Sequence, residues 1–208
     1  MFKGLSHHIE IMPNLDIRIG VLASGRGSNF QALIDGSASG EVACEITVLI
    51  TDNPNAQAIE RAKKANIPVE VVNFKEFQNR ELADRKIAEL LRQYGVELVV
   101  LAGYMRILRG KEIFERFKNR IINIHPSLLP QFRGSIHAQK DAFDAGLKES
   151  GLTIHFVTED LDGGKIIYRE KVDISDCKSA EEVAAKILVR EHAAMKKVVD
   201  GFAKGHVH

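Results

Sequence analysis

Cysteine is scarce in this chain. Only Cys44 and Cys177 occur among 208 residues. They lie far apart and form no metal-type spacing. So few thiols point to a reduced compartment, the cytoplasm. An excess of charge of one sign is missing too. Lys and Arg number 29 against 28 Asp and Glu, leaving a formal charge of +1. No global field therefore draws the chain to nucleic acid or to an anionic membrane. No apolar run approaches the ~20 residues of a membrane-spanning helix. The opening "MFKGLSHHIEIMPN" has no signal-peptide core. It reads as an extension, residues 1–15, ahead of a single domain over 16–208. Repeats, low-complexity segments and flexible linkers are also lacking. What is present is the balance of a soluble globular protein, 45% apolar and 27% charged. A chain of this size buries roughly 70% of its unfolded surface.

Compact apolar runs recur along the chain: "IRIGVLA" (17–23), "EITVLIT" (45–51), "PVEVV" (68–72), "VELVVLAG" (96–103) and "RIINI" (120–124). Helix-like segments alternate with them: "SNFQALIDG", "NAQAIERAKKAN" (55–66) and the amphipathic "KEFQNRELADRKIAELLRQYG". Near-continuous Val/Ile/Leu strands between helices predict a mainly parallel, doubly wound α/β sheet with helices on both faces, a Rossmann-like architecture. "GLTIHFVT" (151–158) and "GKIIYREKVDI" (164–174) lie too close in sequence for a crossover, so they are expected as a C-terminal antiparallel pair. A last helix runs through "SAEEVAAKILVREHAAMKKVVDGF", with Ser179 and Glu182 as a capping box.

Several positions carry polar groups where chemistry can use them. "SGRGSN" (24–29) follows the first strand and opens the first helix. Its glycines allow close backbone approach, and free amides at a helix start favour a phosphate. Phe30 stands where a dinucleotide fingerprint needs its third glycine, and no Walker-type Lys-Ser/Thr follows, so one phosphate on a small ligand fits best. The plain alternative is a tight turn capped by Ser28. In "RIINIHPSLLP", Asn123 and His125 lie at i and i+2 and share a strand face. Pro126 ends the ladder just where such sheets place their ligand crevice. An amide and an imidazole together there can hydrogen-bond a developing oxyanion; a satisfied buried histidine is the bland alternative. Asp162, in "EDLDGG", is either a turn residue or a proton acceptor among Glu159 and Asp160. His155 reads as a supporting side chain and His137 as a helix start. Glu191 falls on the apolar stripe of the last helix with Ala184, Leu188, Met195, Val198 and Phe202, a costly place for a carboxylate unless it meets a partner, a ligand or a solvent boundary.

"SGRGSN", "VLAGYMRIL", "NIHPSLLP", "HFVTEDLDGG" and "EH" at 191–192 together resemble the phosphoribosylglycinamide formyltransferase family, from residue 17 to about 200. The resemblance implies a metal-free formyl transfer from 10-formyltetrahydrofolate to the glycyl amine of glycinamide ribonucleotide, in de novo purine biosynthesis. It implies Asn123, His125 and Asp162 as the catalytic set. Gly27, Ser28 and Asn29 would hold the phosphate, with Glu191 near the ribose. Met105, Arg106, Ile107 and Leu108, with Thr158, Glu159, Asp160 and Leu161, would cradle the folate. The implied partners are these two small molecules, with neither nucleic acid nor membrane, and the chain is expected as a monomer or homodimer. There are two departures. Leu188 replaces a polar residue common three positions before the matching Glu, and "RGSIHAQ" replaces the common "PGLHTH", so His137 aligns only through a one-residue insertion. A methionyl-tRNA formyltransferase is expected to continue into a further C-terminal domain, and a formyltetrahydrofolate hydrolase to carry an N-terminal one that 15 residues do not supply. A non-catalytic phosphometabolite-binding protein on the same fold is the reading from outside the class.

Overall fold

The apolar runs become strands in a computed structural model that describes residues 16–207; the expected extension 1–15 lies outside the described residues. The elements are β1 (Ile17–Leu22), α1 (Ser28–Ala38), β2 (Cys44–Thr51), α2 (Gln57–Lys64), β3 (Val69–Val71), α3 (Arg80–Gln93), β4 (Leu98–Leu101), α4 (Lys111–Arg116), β5 (Ile121–His125), α5 (Ala138–Asp144), β6 (Glu149–Phe156), β7 (Ile166–Asp173) and α6 (Ala180–Ala203). Among the described residues one seven-stranded sheet forms, in the order β3-β2-β1-β4-β5-β6-β7.

Neighbours from β3 through β5 are parallel, and β5-β6 and β6-β7 are antiparallel. The expected antiparallel pair is therefore part of a three-strand antiparallel run. Strand order reverses between β1 and β4, so the loops after these two strands open a crevice at the carboxyl edge of the sheet.

Alternation along each strand feeds two cores. Ile17, Ile19 and Val21 of β1, with Leu98 and Val100 of β4, pack with Phe30 and Leu33 of α1 and Ile187, Met195 and Phe202 of α6. Leu22, Val99 and Leu101 point the other way, onto Ile87 and Leu91 of α3 and Ile113 of α4. The central strands β1 and β4 are thus buried on both faces, which is why their sequences read as continuous apolar runs.

The caps explain the helix starts. Asn79 Oδ1 accepts from Leu82 N at 3.0 Å and opens α3. Ser179 Oγ accepts from Glu182 N at 3.2 Å, as a capping box requires, but the Glu182 carboxylate accepts from Lys178 N rather than from the cap itself. The buried stripe of α6 is Val183, Ile187, Glu191, Ala194 and Val198, joined by Met195, Val199 and Phe202. Ala184 and Leu188, expected on that stripe, flank it half-buried. Both cysteines are free, and burial pushes the Cys44 thiol up to about 11, which makes it a poor nucleophile.

Candidate active site

The β1–α1 loop forms one wall of the crevice. Gly27 takes the cap position of α1 at φ 67°, ψ 39°, so the turn does not use Ser28 as its cap; Ser28 is the first helical residue. A Cβ on Gly27 would lie 2.8 Å from the Ala58 Cβ on α2, so both the left-handed backbone and the neighbouring helix require glycine. Gln31 N donates the first intrahelical bond to Gly27 O at 2.9 Å. The amides just before it lie where an anion would meet the helix end. Arg61 braces the loop, donating from Nε to Arg26 O at 2.8 Å and from Nη1 to Gln31 Oε1 at 3.0 Å.

Asn29 and Glu191 are brought together here. Asn29 Nδ2 donates to Glu191 Oε2 at 2.8 Å, although 162 residues separate them. Glu191 is 5% exposed. Burial raises its pKa above the ordinary carboxylate value, and the Asn29 bond offsets this only in part. Leu188, one turn earlier, is half-buried and brings no polar group.

The other wall is built on β5. Its antiparallel register with β6 sets Asn123 opposite His155, and Asn123 Nδ2 lies 3.3 Å from His155 Nε2. His155 Nδ1 donates to Phe156 O at 2.8 Å, which fixes the ring and leaves Nε2 of the neutral form as the acceptor for Asn123. His125 donates from Nε2 to Phe132 O at 3.1 Å, so its Nδ1 faces Asp162. Asp162 sits between the two rings, with Oδ2 3.6 Å from His125 Nδ1 and Oδ1 3.5 Å from His155 Nε2. Its Oδ2 also accepts from Gly134 N at 2.9 Å. The turn after His125 is stitched to β6: Thr153 Oγ1 donates to Ser127 O at 2.7 Å and accepts from Leu129 N at 3.0 Å.

The electrostatics of this wall are asymmetric. Burial alone would raise the Asp162 pKa, but the His155 bond, the Gly134 amide and the charges of His125 and His155 outweigh it and pull the carboxyl below its ordinary value. Burial lowers the His125 pKa, reinforced by His155 and opposed by Asp162 and the Phe132 carbonyl. At neutral pH the pair is a carboxylate facing an uncharged imidazole. Both groups are therefore unprotonated at neutral pH and available to accept a proton released beside them.

The residues expected around a folate divide. Met105 is 55% exposed, Ile107 is also exposed, and Leu108 is turned into the core at 4%. Arg106 donates from Nε to the buried Asp52 at 2.7 Å and lies 5.6 Å over the Phe74 ring. Thr158, Glu159, Asp160 and Leu161 line an exposed loop beside Asp162. Ser24, which sequence reasoning left unassigned, ties the two loops at the switch point: its Oγ accepts from Met105 N at 2.8 Å and its N donates to Gly103 O at 3.1 Å. His137 is the N-cap residue of α5 and makes no side-chain cap bond. No helix among the described residues is long and apolar enough to cross a membrane, and no cluster of three or more His, Cys, Asp or Glu there is placed to hold a metal ion.

The family profile described as formyl transferase matches residues 17–199. The phosphoribosylglycinamide formyltransferase of Haemophilus influenzae is 40% identical over 190 residues, 91% of this chain and 89% of that protein. The trifunctional purine biosynthetic protein adenosine-3 of Bos taurus is 37% identical over 203 residues, 98% of this chain; the chain spans 20% of that protein's length. Among solved structures, glycinamide ribonucleotide transformylase 1 from Symbiobacterium toebii superposes with a TM-score of 0.88 at 41% identity, covering 93% of this chain and 90% of that one.

Proposed function

The chain belongs to the formyl transferase family, and on that premise we propose that it moves a formyl group from 10-formyltetrahydrofolate to the glycyl amine of glycinamide ribonucleotide, the cytoplasmic purine-biosynthetic step for which its relatives are named. The observation that carries this reading is the convergence of Asn123, His125, His155 and Asp162 at one strand end, across a crevice from a glycine-started helix. The amine attacks the formyl carbon and a C–N bond forms. The carbonyl electron pair moves onto oxygen, which the second Nδ2–H of Asn123 stabilises, joined by His125 once its Nδ1 has taken up a proton. The proton released by the amine is held by Asp162 or by Nδ1 of His125, then passes to N10 of the folate as the old C–N bond breaks. An unprotonated amine is nucleophile enough that this sequence needs no metal. The α1 amides take the phosphate, and Glu191 takes the ribose hydroxyls. Met105, Arg106, Ile107 and the 158–161 loop flank the pterin and its chain, and Leu108 anchors the 105–108 segment in the core.

The test is an assay with purified protein, both substrates and a chelator. One tetrahydrofolate per formylated ribonucleotide is expected. Formate release without ribonucleotide formylation would reassign the chain as a hydrolase, and binding of both ligands without turnover would make it a sensor.

A further inference from the structure

Successive residues after β5 each hold a different part of the site. Phe132 O accepts from His125 Nε2 at 3.1 Å. Arg133 donates from Nε to Leu161 O and from Nη2 to the Asp160 carboxylate. Gly134 N donates to Asp162 Oδ2 at 2.9 Å. The remaining bonds of the 158–163 loop are internal: Thr158 Oγ1 donates to Asp160 O at 3.3 Å and Gly163 N donates to the same oxygen at 3.0 Å. They shape the loop without attaching it to the β5 side. We propose that Arg133 is a positioning residue: it straps the 160–162 loop to the turn carrying Phe132 and Gly134, and so fixes the Asp162 carboxylate between His125 and His155.

Two further observations support the strap. Asp162 adopts φ 48°, a left-handed conformation that Asp tolerates in a turn and that aims its carboxylate only while the loop around it is held. A Cβ on Gly163 would lie 2.0 Å from Asp160 Oδ2 and 2.7 Å from Arg133 Nη2, so this glycine leaves the space through which the strap runs. Arg133 and Asp160 are 41% and 70% exposed, and an ion pair that open to solvent adds little to overall stability. Its consequence is geometric. A planar guanidinium reaches a backbone carbonyl and a carboxylate at once, whereas an ammonium is a single point of attachment.

The inference rests on the proposed formyl transfer, so the experiment has one arm with substrates and one without. In the first, Arg133→Ala should lower kcat about tenfold, the scale of a displaced catalytic group. It should raise KM for the folate severalfold and leave KM for the ribonucleotide unchanged. Arg133→Lys should fall between wild type and Arg133→Ala. In the second arm, NMR titration of His125 in the substrate-free protein should show its pKa lower in Arg133→Ala, because the neighbouring Asp162 charge that raises it has moved away. Gly163→Ala, which crowds the same strap, should reproduce the shift. An Arg133→Ala protein with wild-type kcat and an unmoved His125 titration overturns the strap. If the wild-type protein transfers no formyl group, the proposed reaction fails, and the substrate-free titration still decides the role of Arg133.

Discussion

The two walls of the crevice are made differently. The β1–α1 wall consists of backbone amides at a helix start, with Gly27 admitting the turn and Asn29 tied to Glu191 on α6. The β5 wall consists of titratable side chains on a strand end and two irregular turns, where Phe132, Gly134 and Asp162 all have positive φ. Fixed dipoles suit a group whose charge stays constant through a reaction, such as a phosphate. Groups whose protonation depends on their neighbours suit a reaction in which a proton must move. On the proposed function, one wall therefore holds and the other responds.

Substitutions can test this division. Asn123→Ala should have the largest effect, a kcat loss on the order of 10²–10³ with the fold intact, as for removal of one oxyanion donor. A loss below about threefold would remove Asn123 from that role. Asp162→Asn should follow, losing at least ~10²-fold in kcat while still binding both substrates. The amide matches the carboxylate in shape and tolerates the same left-handed backbone. A residue that only shaped the turn would therefore leave turnover near wild type, and that result would falsify the catalytic assignment.

On the holding wall the signature should move from kcat to KM. Gly27→Val should raise KM for the ribonucleotide about tenfold or more and spare the folate, since a side chain there meets α2 and the anion's space. Equal effects on both substrates would erase the distinction between the walls. The smallest effect should come from Glu191→Gln. A buried carboxyl with a raised pKa favours folding below its ordinary value of 4.5 and loses that contribution as pH rises through the folded value. The glutamine variant titrates nothing there. Its Tm without ligand should exceed wild type by a few degrees, on the order of 1 kcal/mol, near pH 8. The gap should close toward pH 4. A gap that is constant with pH would mean that Glu191 is charged in the fold without cost.

Much of the holding wall was legible in the sequence. Buried parallel strands announce themselves as apolar runs, "GRGSN" sits at a strand-to-helix join, and Glu191 stood out as a carboxylate on an apolar stripe. The responding wall was legible only in part. Asn123 and His125 followed from strand alternation. The pairing of β5 with β6 did not, because nothing in either run names its neighbour; His155 therefore read as support rather than as the acceptor for Asn123. The helices α4 and α5, of six and seven residues, are too short to show a 3.6-residue period. The 132–134 turn acts largely through backbone groups and left-handed torsions, which a list of side chains does not display. Leu108 went into the core because a run such as "MRIL" does not reveal which of its members faces a ligand.

The bond between Asn29 and Glu191 also has a temporal consequence. Its partners stand 162 positions apart, so a chain leaving the ribosome carries the glycine loop long before it has the carboxylate. Residues 123–162, by contrast, emerge as one stretch holding Asn123, His125, His155 and Asp162 together. On the proposed function, a nascent chain thus possesses its reactive groups before it has the carboxylate that would hold the ribose. The Asn29–Glu191 pair forms only when α6 docks against α1, so on the proposed function ribose retention would report that both distant parts of the chain have met.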